Sequence, residues 1–131
     1  ALWAGLAMGF WTAAIVTINE LPDYEADRRA GKRNLVVRWG RACGVKVWAA
    51  LLYLSFATLI AGVFLGVLPR AMVPGLLALP WVVRLIDRSG EAPRDLEINV
   101  AASAKTIKYE VGYWVLMVGG LLASRLPGVG G

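Results

Sequence analysis

Histidine is absent from this chain, and cysteine occurs once, at Cys43. Without histidine, Ser-His-Asp and Cys-His nucleophilic schemes are excluded and a zinc site is disfavoured. A lone cysteine excludes an internal disulfide and offers no metal-binding spacing. It reads as a small residue near a helix start. Charge is also scarce: Asp, Glu, Lys and Arg make up 18% of the 131 residues, against 58% hydrophobic residues and a mean hydropathy of +0.60. Such a chain is too apolar for an ordinary soluble domain and is expected to be an integral membrane protein. No Met and no charged segment precede the first apolar run, so that run is not read as a signal peptide. The expectation is a chain that starts in mid-sequence, the C-terminal portion of something longer. No solenoid-length repeat or low-complexity segment is present.

The charge that does exist is concentrated. The net charge of +5 could point to nucleic acid. Its placement in two stretches between apolar runs instead follows the positive-inside pattern of membrane proteins, and no nucleic-acid partner is expected. Four membrane spans are predicted, at 1–18, 47–68, 71–86 and 109–126, with charged loops at 19–46 and 87–108. The fold expected is an all-α, polytopic transmembrane helical bundle of about four helices. The third span is short, interrupted by Pro74 and Pro80, and needs Arg84 to snorkel to water. Gly5 with Gly9, Gly62 with Gly66, and the pair Gly119–Gly120 are candidate close-packing faces. Trp3 and Trp11 read equally as interfacial anchors or as packing residues. Within the second charged stretch Asp95 to Ser103 could start a helix, with Asp95 as N-cap and Ile98 as its first apolar anchor, and the PGVGG tail is a flexible end. Seven Lys or Arg residues lie in 19–46, while the turn between the second and third spans has only Arg70. Both charged stretches are therefore expected in the cytoplasm, in an inner or plasma membrane.

The stretch NELPDYEADRRAGKRN, Asn19 to Asn34, carries the chemistry. If it is helical, Asn19, Asp23 and Asp27 recur every four residues and drift only about 40° per step. They then share one stripe, with Glu20 at its edge and Glu25 pointing away. Two carboxylates and an amide oxygen supply part of an oxygen shell for Mg²⁺, which leaves its remaining positions to water and substrate phosphates. Lys32 and Arg33 just downstream, with Arg28, can hold the same phosphates. Tyr24 can hydrogen-bond a phosphate, although its helix angle sets it off the stripe. Pro22 either starts a new turn or kinks the old one. Gly31 is placed to end the helix as its C′ residue, with Arg28 and Arg29 in the last turn. Leu35 to Trp39 lies on the membrane surface or begins the next helix. In the second charged stretch Asn99, Ser103, Lys105 and Thr106 approach the last span, where they line a cavity or form an interfacial face. Lys105 and Lys108 are secondary phosphate candidates.

The DYEAD core, followed by GKRN and LVVRWG, resembles the second aspartate-rich motif of the UbiA superfamily of intramembrane prenyltransferases. The extended pattern is most similar to the branch acting on dihydroxynaphthoate in menaquinone synthesis. The resemblance implies Mg²⁺-dependent transfer of a prenyl group from a polyprenyl diphosphate to an aromatic acceptor within the lipid bilayer. It implies Asp23 and Asp27 as catalytic, metal-binding residues with Asn19 in support, Glu20 as a weaker candidate, and Lys32, Arg33, Arg28 and Tyr24 on the diphosphate. Family members face two such motifs across a bundle. This chain carries one, so it is expected to form half of a larger bundle, to need the N-terminal half of the same enzyme as partner, and to be inactive alone. A reading from another class is a non-catalytic four-helix membrane scaffold, or an anionic-lipid-binding protein, whose acidic stripe pairs with its own basic loop. Phosphatidyl transfer from CDP-activated lipids also uses spaced aspartates, but its Asp-Gly and Ala-Arg elements are missing.

Overall fold

A computed structural model describes residues 2–126; Ala1 and the predicted flexible tail at 127–131 lie outside the described residues. Within them every regular element is helical. The first, α1 (Leu2–Asn19), buries Ala7, Trp11, Ala14 and Ile18, one face at helical spacing. Two short helices follow, α2 (Tyr24–Arg29) and α3 (Leu35–Trp39). Helix α4 (Arg41–Phe64) buries Trp48, Leu52, Phe56 and Leu59 and lies antiparallel to α1. Trp3 donates its indole N–H to the Thr58 carbonyl at 2.7 Å near one end, and Gly44 meets Leu21 at the other.

Helix α4 begins at Arg41, earlier than the expected Val47, and stops at Phe64. It stops because Gly66 takes φ +68, letting the Val67 N–H reach back to the Gly62 carbonyl at 2.9 Å in a Schellman closure. The expected third span, 71–86, is split into a 3₁₀ segment (Arg70–Ala78) and α5 (Leu79–Glu91). Prolines place the division: Pro74 cannot donate within a helix, whereas Pro80 sits in the first turn of α5, where no donor is needed.

The last helix, α6 (Leu96–Ala123), starts at the expected Asp95 cap and runs on without a break through the rest of the charged stretch 87–108. Its Asp95 cap accepts the Ile98 N–H at 3.0 Å, and 28 unbroken residues follow, about 42 Å at the usual rise. Asn99, Ala102 and Thr106 fall on one buried face, so the charges around them did not prevent helix formation. Two helices, α1 and α4, are long and apolar enough to cross a membrane; four such spans are not found among the described residues.

An aromatic knot joins the three long helices. Trp11 stacks on Tyr113 at 4.6 Å, and Phe56 meets both rings edge-on at 5.3 and 5.4 Å. The Trp11 indole donates to the Thr106 carbonyl at 3.4 Å, so both Trp3 and Trp11 are packing residues. The glycine pairs divide. Gly62 faces the Trp3 indole, and a Cβ at Gly120 would strike the Ala71 carbonyl, so both are close-packed. Gly5, Gly9 and Gly119 meet no neighbour within 4 Å, and Gly66 serves the turn instead of a packing face.

Candidate functional site

Helix α1 ends at Asn19, and the chain turns through Glu20 to Asp23 before α2 begins. Pro22 breaks the path because it has no N–H for the carbonyl a turn earlier. The single stripe of Asn19, Asp23 and Asp27 is therefore interrupted: Asn19 closes α1, exposed, while the two aspartates belong to α2. They stand one turn apart, with the Asp27 N–H bonded to the Asp23 carbonyl at 2.8 Å. Asp23 occupies the N-cap position with its carboxylate exposed and making no cap bond.

Asp27 is different. It is only 8% exposed, and both carboxylate oxygens are engaged. Oδ1 accepts from Lys32 Nζ at 2.6 Å and Oδ2 from Asn34 Nδ2 at 2.9 Å. A buried carboxylate requires such partners, since an unpaired charge would forfeit its hydration. The backbone makes the same closure. Gly31 at φ +71 allows the Lys32 N–H to reach the Asp27 carbonyl at 3.0 Å and the Gly31 N–H to reach the Arg28 carbonyl at 3.2 Å. That Schellman motif turns the chain back so that Lys32 overhangs Asp27, and Gly31 holds the expected C′ position. The Lys32 ammonium is held above the ordinary lysine pKa by its hydrogen bond to Asp27, then by the Asp27 and Asp23 charges.

Asn34 was not singled out in the sequence, yet it links the two halves of this cap. Its Nδ2 donates to Asp27 while its Oδ1 accepts the Val37 N–H at 2.9 Å, capping α3. An Asn directly before an apolar run is the signal that marks it. Glu20 takes a neighbouring amide: its Oε2 accepts the Val36 N–H at 3.3 Å. Val36 is fully buried and packs against the Gly44 position on α4, so this bond anchors the cap to the bundle.

The remaining candidates are placed as follows. Arg28 and Arg33 are exposed beside the turn. Tyr24 is half-buried beneath the Arg41 guanidinium, 4.7 Å from its ring centroid, and Arg41 also lies 3.7 Å from Glu25. Lys105 borders a cleft between α5 and α6 with Arg88 and Glu97, and Lys108 borders an apolar groove with Trp81, Tyr109 and Leu77. Of the other polar residues on α6, Ser103 donates to the Ile18 carbonyl at 3.1 Å and Asn99 to the Pro93 carbonyl at 3.1 Å. Thr106 bonds within its own helix at 2.7 Å. These three make packing hydrogen bonds.

Mg²⁺ takes one or two protein carboxylates and keeps water or phosphate on its other positions. Asp23 and Asp27 match that number, and a carboxylate with one bond on each oxygen retains lone pairs. Among the described residues no group of three Asp, Glu, Cys or His side chains adds to them. By number and type alone, the two carboxylates match part of such a shell.

Among protein families, the model of the UbiA prenyltransferase family matches residues 1–102. No curated protein and no solved structure matches the chain.

Proposed function

The chain belongs to the UbiA prenyltransferase family, whose members are membrane-embedded, and from that premise we propose that it supplies the diphosphate-binding aspartates for prenyl transfer to an aromatic acceptor. The observation that carries the proposal is the cap on α1: two aspartates one helical turn apart, with Lys32 closed over the buried one. Asp23 and Asp27 would hold Mg²⁺ from one side, and Lys32, Arg33 and Arg28 would receive the diphosphate oxygens from the other. When bound, Mg²⁺ supplies charge compensation for the departing diphosphate. The chain's own residues do the rest. Lys32, which bonds to Asp27 at 2.6 Å, would stabilise the negative charge that develops on the diphosphate as the allylic C–O bond breaks. The apolar faces of α1 and α4 exclude water from the allylic cation, and the isoprenoid tail extends along them into lipid.

The finer assignment is to a menaquinone-type branch, with a second aspartate-rich motif contributed by the N-terminal half of the same enzyme. The Asn-acid-x-x-Asp-x-x-x-Asp pattern with Gly-Lys-Arg supports it. The seven basic residues in 19–46 support a cytoplasmic position for the cap in an inner or plasma membrane.

The Asp27–Lys32 pair is also what a non-catalytic scaffold with a self-paired loop would contain. Binding of farnesyl diphosphate to the detergent-solubilised chain, with and without Mg²⁺, separates the two. The enzyme reading expects Mg²⁺-dependent binding that falls about tenfold or more, the loss of a charge-assisted contact, in Asp23→Ala and in Asp27→Ala. Equal binding by wild type and both variants, or no effect of Mg²⁺, would sink it.

A further inference from the structure

Beside the aspartate cap lies a second polar cleft, of about 430 Å³, lined by Tyr24, Glu25, Trp39, Gly40, Arg41 and Arg94 among others. Three parts of the chain meet there: α2, the α3–α4 junction, and the turn before α6. All three sit at one end of the bundle. Helix α1 finishes there at Asn19, antiparallel α4 begins there at Arg41, and α6 begins there, its Ser103 bonded to the last turn of α1. This is the end at which the two membrane-length helices leave their apolar stretches.

The electrostatics of the cleft favour an anion. Arg41 and Arg94 contribute two positive charges against the one negative charge of Glu25. The start of α4 adds a helix N-terminus worth about +0.5 charge, and Gly40 has no side chain with which to cap it. The Arg41 side chain is 19% exposed, and its buried Nε has no hydrogen-bond partner. Its contact with Glu25, at 3.7 Å, is too long for a hydrogen bond, and its other neighbour is the face of Tyr24. Among the described residues the guanidinium is therefore committed to no hydrogen bond within the chain, and its positive charge is only partly offset by Glu25. Trp39 stands at the rim, 61% exposed, an indole at the boundary between apolar helices and water. Glu25, which lines this cleft, is about 160° around α2 from Asp27 at the usual helical pitch, so the cleft opens away from the aspartate pair, with Tyr24 at the border between them.

We propose that the cleft between Tyr24, Arg41 and Arg94 binds the phosphate group of an anionic membrane phospholipid, with the Arg41 guanidinium and the α4 N-terminus as donors. The inference needs only the membrane position of the chain and is independent of prenyl transfer. Arg41 supplies the terminal N–H groups of its guanidinium to the phosphate oxygens, Arg94 closes from the turn, and Trp39 rests at headgroup level. The bound lipid would tie α2, α4 and α6 together at the end where the aspartate cap is mounted.

The test uses the purified chain, delipidated and then exposed to mixed micelles holding equal amounts of phosphatidylglycerol and phosphatidylcholine, with bound lipid counted by native mass spectrometry. The expected result is one phosphatidylglycerol retained per chain in preference to phosphatidylcholine. Arg41→Gln and Arg94→Gln should each weaken retention about tenfold, the loss of one charged phosphate contact. Lys46→Gln, exposed and outside the cleft, should leave it unchanged. Arg94 is exposed in a turn, so its variant tests the site even if Arg41→Gln fails to fold. Equal retention of the two lipids, retention unaffected by Arg94→Gln, or displacement of the lipid by an equal concentration of inorganic phosphate would overturn the proposal.

Discussion

Replacing Asn34 with Ala removes two bonds at once, and the structure allows their sizes to be separated. The first is the α3 cap to the Val37 N–H, worth about 1 kcal/mol at a typical N-cap. The second is the donation to Asp27 Oδ2, a hydrogen bond to a charged group of about 1.5–3 kcal/mol. Asp27 keeps its pairing with Lys32, so its charge is not left without a partner and the low end applies. The sum is about 2–3 kcal/mol against the closed cap. Tenfold per 1.4 kcal/mol converts this to about 30- to 140-fold more frequent opening of the turn between α2 and α3. Trypsin reads that opening. Arg28, Arg29, Lys32 and Arg33 are exposed, but a protease needs a longer extended segment than the closed turn offers. In liposomes, with opening fast relative to cleavage, the cleavage rate follows the open population. Asn34→Ser separates the terms: it keeps a cap oxygen, loses the donor to Asp27, and should raise cleavage only about tenfold. A cycle with Asp27→Ala should return a coupling above about 1 kcal/mol, as expected for directly bonded partners. Cleavage of Asn34→Ala within about threefold of wild type, with additive effects in the cycle, would refute the account of the cap.

Gly31→Ala forces an L side chain into φ +71 and should cost the cap about 1–2 kcal/mol, read as faster tryptic cleavage, whereas Gly31→Asn should lose less. Gly62→Ala should lower the unfolding free energy in detergent by about 1–3 kcal/mol, because its methyl meets Trp3 and Leu68, while Gly5→Ala, facing open space, should be neutral or slightly stabilising. The Lys32 latch should respond to alkali. Its folded pKa lies above the unfolded lysine value of about 10.4, so its contribution is complete below that value and disappears as pH rises through the folded one. The thermal-stability advantage of wild type over Lys32→Met should therefore be level from about pH 7 to pH 9.5 and shrink only beyond the ordinary lysine range; a decline between neutrality and about pH 9 would contradict the assignment.

Whatever depended on the backbone alone was legible in the sequence. Two uncharged runs become α1 and α4 because apolar residues of that length require a helix in an apolar surrounding. Gly31 ends α2 because glycine tolerates positive φ, and Asp95 starts α6 because a short carboxylate reaches the third amide beyond it. The four-residue spacing of Asp23 and Asp27 survives as one turn of α2. Other features were settled by contacts between distant segments. The charged stretch 87–108 offers a helix start at Asp95 but not its extent; α6 runs on from Leu96 because Asn99, Ala102 and Thr106 bury one face, where Asn99 Nδ2 and Thr106 Oγ1 find carbonyls. Gly5 and Gly62 carry the same local signal, and only the arrival of Trp3 makes Gly62 the close contact. Asn19 drops out of the acidic stripe because Pro22 reorients the chain, one of two outcomes that the proline allowed. The unequal fates of the two aspartates were hidden for the same reason. Asp23 stays exposed while Asp27 is buried between Lys32 and Asn34, because the Schellman turn and the seating of Val36 against α4 fold the basic loop back over one carboxylate only. Spacing along a chain sets which groups share a turn of helix; burial and partners depend on what packs over that turn, and that is decided by residues elsewhere in the fold.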